Sequence, residues 1–150
     1  GQLHWRLRQD ARVVVMERVN ARYLEALPES VDIVTIDASF ISLRLLRPTA
    51  ARRLAPGGCL VALIKPQFEA GPSLVGKGGV VRKPEVHRLV LRRVIDEALT
   101  TGWTLRGLTR SPITGPKGNV EFLVWLDRSG GPSLGVEETV AKVLSSGSEA

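Results

Sequence analysis

Two apolar runs, each ended by a charge, constrain this chain more than any other feature. They are Val31-Asp32-Ile33-Val34-Thr35-Ile36-Asp37 and Cys59-Leu60-Val61-Ala62-Leu63-Ile64-Lys65-Pro66-Gln67. Short continuous apolar runs bounded by turn residues read as buried strands. Here they alternate with helical stretches, which points to an α/β fold with a mostly parallel sheet. In such an open sheet, ligands sit in the crevice beyond the carboxyl ends of the strands. Asp37 and Lys65 then share one site.

The remaining elements follow from periodicity and punctuation. Residues 2–9 read as a helix, and Arg12 to Met16, a β-branched run, as a further buried strand. A loop and short helix follow from Asn20 to Leu27. Ile41 to Leu54 is helical, with Pro48 either kinking it or starting a second helix, and Pro56-Gly57-Gly58 ends it. Residues 69–82, with Gly71, Gly76, Gly78 and Gly79, read as a long mobile loop. Pro84 opens a helix whose apolar residues, Val86 to Leu99, recur at helical spacing up to Gly102. His87 falls on its polar side. Trp103–Thr109 and Val120–Leu126 make a closing antiparallel pair, since their connection is too short for a parallel crossover. That reversal brings Glu121, early in the last strand, to the edge where Asp37 and Lys65 stand. Residues 129–150 read as a flexible tail with a possible short helix near 136–144. Trp5, Trp103 and Trp125 read as core or sheet-packing residues.

Composition narrows the function classes. The net charge is +6, with residues 129–150 at −2 and residues 1–128 at +8. Arginines gather near the start, in 44–53 and in the helix after Lys83. This balance suits a polyanionic partner, although arginine-rich helix faces in solvent give the same signal. The single cysteine, Cys59, excludes an internal disulfide. Two distant histidines and one cysteine lack the spacing of a metal site, so no metal is expected. No apolar run reaches the roughly 18 residues of a membrane span, and no signal-peptide pattern appears in these residues. The expected location is the cytoplasm, away from membranes.

A lysine between two carboxylates can accept a proton or act as an orienting cation. The first role needs desolvation that the carboxylates oppose; the second only needs a hydroxyl within reach. A plain strand-end salt bridge is the bland alternative. Gly76-Lys77-Gly78-Gly79 has no strand before it and no helix after it, so it makes a poor phosphate loop. Phe40 and Phe68, each three residues after a site charge, are the aromatic candidates for the rim. Lys117 and Asn119, in the loop before Glu121, are candidates for substrate contact.

Four segments carry a resemblance. Gly1-Gln2-Leu3-His4-Trp5, Val34-Thr35-Ile36-Asp37-Ala38-Ser39-Phe40-Ile41-Ser42-Leu43, Leu63-Ile64-Lys65-Pro66-Gln67-Phe68-Glu69-Ala70-Gly71 and Gly115-Pro116-Lys117-Gly118-Asn119-Val120-Glu121-Phe122 resemble the TlyA (hemolysin A) family of FtsJ-like ribosomal RNA methyltransferases. The resemblance covers residues 1 to about 128 in the correct order. It implies a Rossmann-like methyltransferase sheet, mostly parallel with an antiparallel last strand, that transfers a methyl group from S-adenosylmethionine to a ribose 2′-hydroxyl. Asp37, Lys65 and Glu121 match the last three members of the family's Lys-Asp-Lys-Glu tetrad. Lys65 would activate the hydroxyl, and Asp37 and Glu121 would hold the lysine and the ribose. Asn20 and Asp37 would contact the cofactor, while Phe40, Phe68, Lys117 and Asn119 would meet RNA. The partners implied are ribosomal RNA or ribosomal subunits.

The departures are equally specific. The first tetrad lysine, the glycine-rich cofactor loop and the S4-type RNA-binding domain have no counterpart here. Residues 1–128 are therefore expected to be a partial methyltransferase domain, incomplete at its amino-terminal side and inactive without an upstream part of the same polypeptide. A non-catalytic RNA-binding or ribosome-assembly module is the alternative. A membrane-damaging protein lacks the broad amphipathic segment it would need.

Overall fold

The computed structural model describes residues 3–146. Its elements are α1 (Trp5–Gln9), β1 (Val31–Ile36), α2 (Leu43–Arg53), β2 (Leu54–Ile64), α3 (Pro66–Glu69), α4 (Pro84–Thr100), β3 (Thr104–Arg110), β4 (Phe122–Asp127) and α5 (Val136–Ser145). The strands form one sheet in the order β1-β2-β4-β3. The β1–β2 ladder is parallel, whereas β4 runs antiparallel to both β2 and β3. Three strands thus share a direction and the last opposes them, as expected, but β4 slots between β2 and β3 and leaves one ladder parallel.

Alternation explains the core. Leu60, Ala62 and Ile64 of β2 and Phe122, Val124 and Leu126 of β4 are buried. They pack with Val90, Leu91, Val94, Ile95 and Ala98 from α4, at the helical spacing read from the sequence. Each of these side chains larger than alanine contributes about 1.5–3 kcal/mol on burial. The other sheet face carries Ile33 and Trp125, which are 61% and 48% exposed. Trp5 is exposed as well, so of the three tryptophans only Trp103 is a core residue.

The step from α2 into β2 depends on a glycine. The register jumps from Val31↔Leu54 to Ile33↔Cys59, so residues 55–58 bulge outward opposite a single residue of β1. A Cβ at Gly58 would lie 2.8 Å from the carbonyl oxygen of Asp32, closer than packed atoms come. Pro48 sits inside α2 without ending it.

Three expectations need correction. Arg12–Met16 is not a strand: its segment is irregular, and Val14 is 69% exposed. β-Propensity needs a ladder to express itself, and no described strand pairs with this run or with the outer edge of β1. The first helix begins at Trp5; Gln2, its expected start, lies outside the described residues. His87 is buried, not exposed, and meets the buried Val81 of the preceding loop. Its Nε2 donates to the Val81 carbonyl at 3.0 Å, and its ring meets Phe122 edge-on.

Loop 69–82 is also more tied down than its glycines imply. The Gly76 amide donates to the Val80 carbonyl at 3.0 Å, and Val80 and Val81 are buried. Within 129–150, α5 buries Val140 and Val143 in the core. Among the described residues, no helix is long and apolar enough to cross a membrane.

Candidate active site

Parallel pairing of β1 and β2 brings their carboxyl ends side by side. Asp37 follows β1 and Lys65 follows β2, where Pro66 starts α3 and fixes the turn. The Lys65 ammonium lies 2.6 Å from Asp37 Oδ1 and donates to Ser39 Oγ at 3.3 Å. Lysine has three donors, so one remains for a further acceptor. Asp37 is largely exposed and Lys65 largely buried. The carboxylate therefore anchors the lysine from the solvent side.

Glu121 arrives from the opposite chain direction. It stands immediately before β4, whose Phe122 pairs with Ile64 of β2. The residue is 6% exposed, and its Oε1 accepts from Gln67 Nε2 at 3.0 Å. A Cβ at Gly115 would sit 2.8 Å from the Glu121 carboxyl carbon, so a side chain there would displace the buried acid. Lys65, Gln67 and Glu121 all line one cavity of about 260 Å³, with Phe40 and Phe68 at its rim.

Asp37 faces a second cavity of about 280 Å³, walled by Leu24, Leu27, Val34, Ile36 and Leu46. It thus stands where two cavities adjoin, bonded to a lysine that lines one and itself lining the other. Phe40 is 90% exposed and held in a left-handed backbone conformation, φ +61°. An aromatic residue rarely adopts it; the cost is about 1–3 kcal/mol. Its ring lies 4.9 Å from that of Phe68.

A scan against protein-family models matches residues 1–128 to the FtsJ-like methyltransferase model. The chain belongs to the FtsJ-like methyltransferase family. YqxC of Bacillus subtilis is 50% identical to it, over 91% of this chain and 50% of that protein. The 16S/23S rRNA (cytidine-2′-O)-methyltransferase TlyA of Mycobacterium tuberculosis is 43% identical, over 98% of this chain and 57% of its own length. A crystal structure of a candidate hemolysin from Lactococcus lactis superposes with a TM-score of 0.90 at 42% identity, covering 99% of this chain and 72% of that one. The chain spans about half the length of the curated relatives it matches.

The other expected site residues of this FtsJ-like chain have local partners. Asn20 is exposed, and its Oδ1 caps the short turn Ala21–Tyr23 by accepting from the Arg22 amide at 3.1 Å. Lys117 lines the first cavity while its ammonium donates to the Gly78 carbonyl at 3.0 Å. Asn119 is buried: its Oδ1 accepts from the Val81 amide, and its Nδ2 donates to the Gly79 carbonyl, both at 3.0 Å. It joins two loops into one wall.

Two residues carry roles that sequence reasoning did not assign. Gln67 holds Glu121, and its Oε1 is buried with no partner. Glu69 reaches back to α2, accepting from the Leu43 amide and the Ser42 hydroxyl, both at 2.8 Å. Burial holds the Glu69 carboxyl above the usual carboxylate range, with those two bonds working against it. Both residues lie within four of Lys65, but their partners are 54 and 26 residues away in sequence. Local pattern does not reveal such pairs.

Proposed function

We propose that this chain is the catalytic part of an S-adenosylmethionine-dependent enzyme that methylates a ribose 2′-hydroxyl of ribosomal RNA. One observation carries the reading. A lysine with a free donor, fixed by an aspartate, opens onto a cavity that a buried glutamate and Lys117 also line. That arrangement suits a hydroxyl needing a directed cation as it loses its proton. Ribosomal RNA, as substrate, accounts for the charge of +8 on residues 1–128.

The residues divide the work as follows. Lys65 Nζ, with its remaining donor, hydrogen-bonds the 2′-oxygen and stabilises the negative charge that grows there. Asp37 keeps that donor aimed. Glu121, steadied by Gln67, accepts from a ribose hydroxyl and so sets the sugar's orientation. Phe40 and Phe68 offer aromatic faces on which an unstacked base rests, as single-stranded RNA recognition requires. The apolar cavity beside Asp37 fits a flat aromatic group, and the exposed Asp37 carboxylate suits an adjacent cation. Asp37 and the cavity wall would hold S-adenosylmethionine, which supplies a methyl group on a positively charged sulfur. With that group bound, Lys65 would hold the 2′-oxygen as its proton leaves to solvent.

The test is transfer of labelled methyl groups to ribosomal subunits by the full-length gene product that carries these residues. Label should survive alkaline hydrolysis in 2′-O-methylated dinucleotides. Lys65→Ala should cut the rate by about 10²–10⁴-fold and leave S-adenosylmethionine affinity within a few-fold. Label found on a base, or a variant that loses cofactor binding yet turns over normally at saturation, overturns the assignment.

A further inference from the structure

At the opposite end of the sheet from Asp37 and Lys65, α2 and the carboxyl half of α4 diverge around a cavity of about 460 Å³. Arg44, Arg47 and Arg52 of α2, Glu97 of α4, Trp103 just before β3 and Arg128 just after β4 line it. Four arginines and one glutamate thus border it, Arg52 also donating to Thr49 Oγ1 at 3.1 Å. Arg47 is 4% exposed, and its nearest charge is Glu97, at 3.7 Å from Nη2, beyond good hydrogen-bond length. Its Nε and Nη1 are buried and have no hydrogen-bond partner. Burial lowers the Arg47 pKa, against the opposing pull of Glu97 and Glu69.

A buried guanidinium with two unmet donors is costly unless something accepts from it. Arg128, meanwhile, is held over the Trp103 ring at 5.7 Å from its centroid. The planar donor fork of an arginine matches the oxygens of a phosphate, and four arginines border this one cavity. We propose that this cavity binds a phosphate group, as an anion site separate from the Asp37–Lys65–Glu121 cluster. The inference stands on the cavity alone and does not depend on the methyl-transfer reading. The phosphate is either free or part of an RNA backbone.

The experiment is titration of inorganic phosphate into the 150-residue chain at constant ionic strength, read by calorimetry and by thermal unfolding against a chloride reference. Phosphate should raise the melting temperature where chloride does not. Arg47→Met should fold at least as well without phosphate, because it removes the unmet donors, and should weaken phosphate binding roughly tenfold or more. Arg128→Gln, on a more accessible side chain, should weaken binding similarly and decides the matter if Arg47→Met misfolds. A single-stranded RNA oligonucleotide identifies the source. If the backbone is the ligand, RNA competes with phosphate, and the slope of log K against log salt falls by about 0.7 per lost contact; without competition, the ligand is free phosphate. A phosphate effect no larger than that of chloride, or wild-type phosphate affinity in both variants, overturns the site.

Discussion

The sharpest conflict between stability and use falls on one side chain. Phe40 holds a left-handed backbone with its ring almost wholly in solvent, an arrangement folding alone does not favour. Phe40→Gly should raise unfolding stability by about 1 kcal/mol, measured by denaturant titration. The same change should weaken RNA binding by about 1–3 kcal/mol if a base stacks there; unchanged affinity removes Phe40 from the RNA surface. At this scale the sequence was readable where charge met a strand end. Asp37, Lys65 and Glu121 needed only the strand directions to come together. Gln67 and Glu69 did not stand out, because each acts through a partner far along the chain. Asn119, expected at a substrate, lines the cavity of Lys65 and Glu121 while its carboxamide bonds the backbone of residues 79 and 81.

Among the elements, α2 depends on a neighbour for its start. Ser42 caps the Arg44 amide, and Glu69 binds the Leu43 amide and the Ser42 hydroxyl. Glu69→Ala should cost about 1–3 kcal/mol of stability by leaving that first turn unmet, visible as a shifted denaturation midpoint. α4 carries a pH dependence through His87. Burial holds its pKa below the usual value, the nearby Arg110 adding to this while the Val81 carbonyl and Glu85 oppose it. The unfolded chain therefore binds the proton more readily. Stability should be level above the unfolded pKa of about 6.5 and fall as pH drops through it. His87→Phe should flatten that part of the stability–pH curve; an identical curve in the variant refutes the assignment. Periodicity found α4, because one helix face meets one sheet face. It misplaced His87, because its partner Val81 comes from a loop that reads as mobile.

For the whole molecule, helices cover one face of the sheet and leave Ile33 and Trp125 bare on the other. Contiguous apolar surface of this kind attracts ligands or other chains. The chain should enhance the fluorescence of an apolar dye such as ANS, and Trp125→Glu should reduce that signal with little change in melting temperature. Equal dye binding by both proteins would place the apolar surface elsewhere. The four strands of the sheet and their directions were readable from the sequence, although Arg12–Met16 was read as a fifth; the position of β4 between β2 and β3 was not, because a hairpin's turn says nothing about what lies on its far side. That position has a consequence for the order in which the protein can be made. β4 is the only described strand that pairs with β3, and it also carries Glu121 to its place beside Gln67. During synthesis, β3 must wait without a partner, and the lysine and aspartate must wait without their glutamate, until the chain has grown past residue 127. A nascent chain halted before that point would hold most of its helices and none of its finished site.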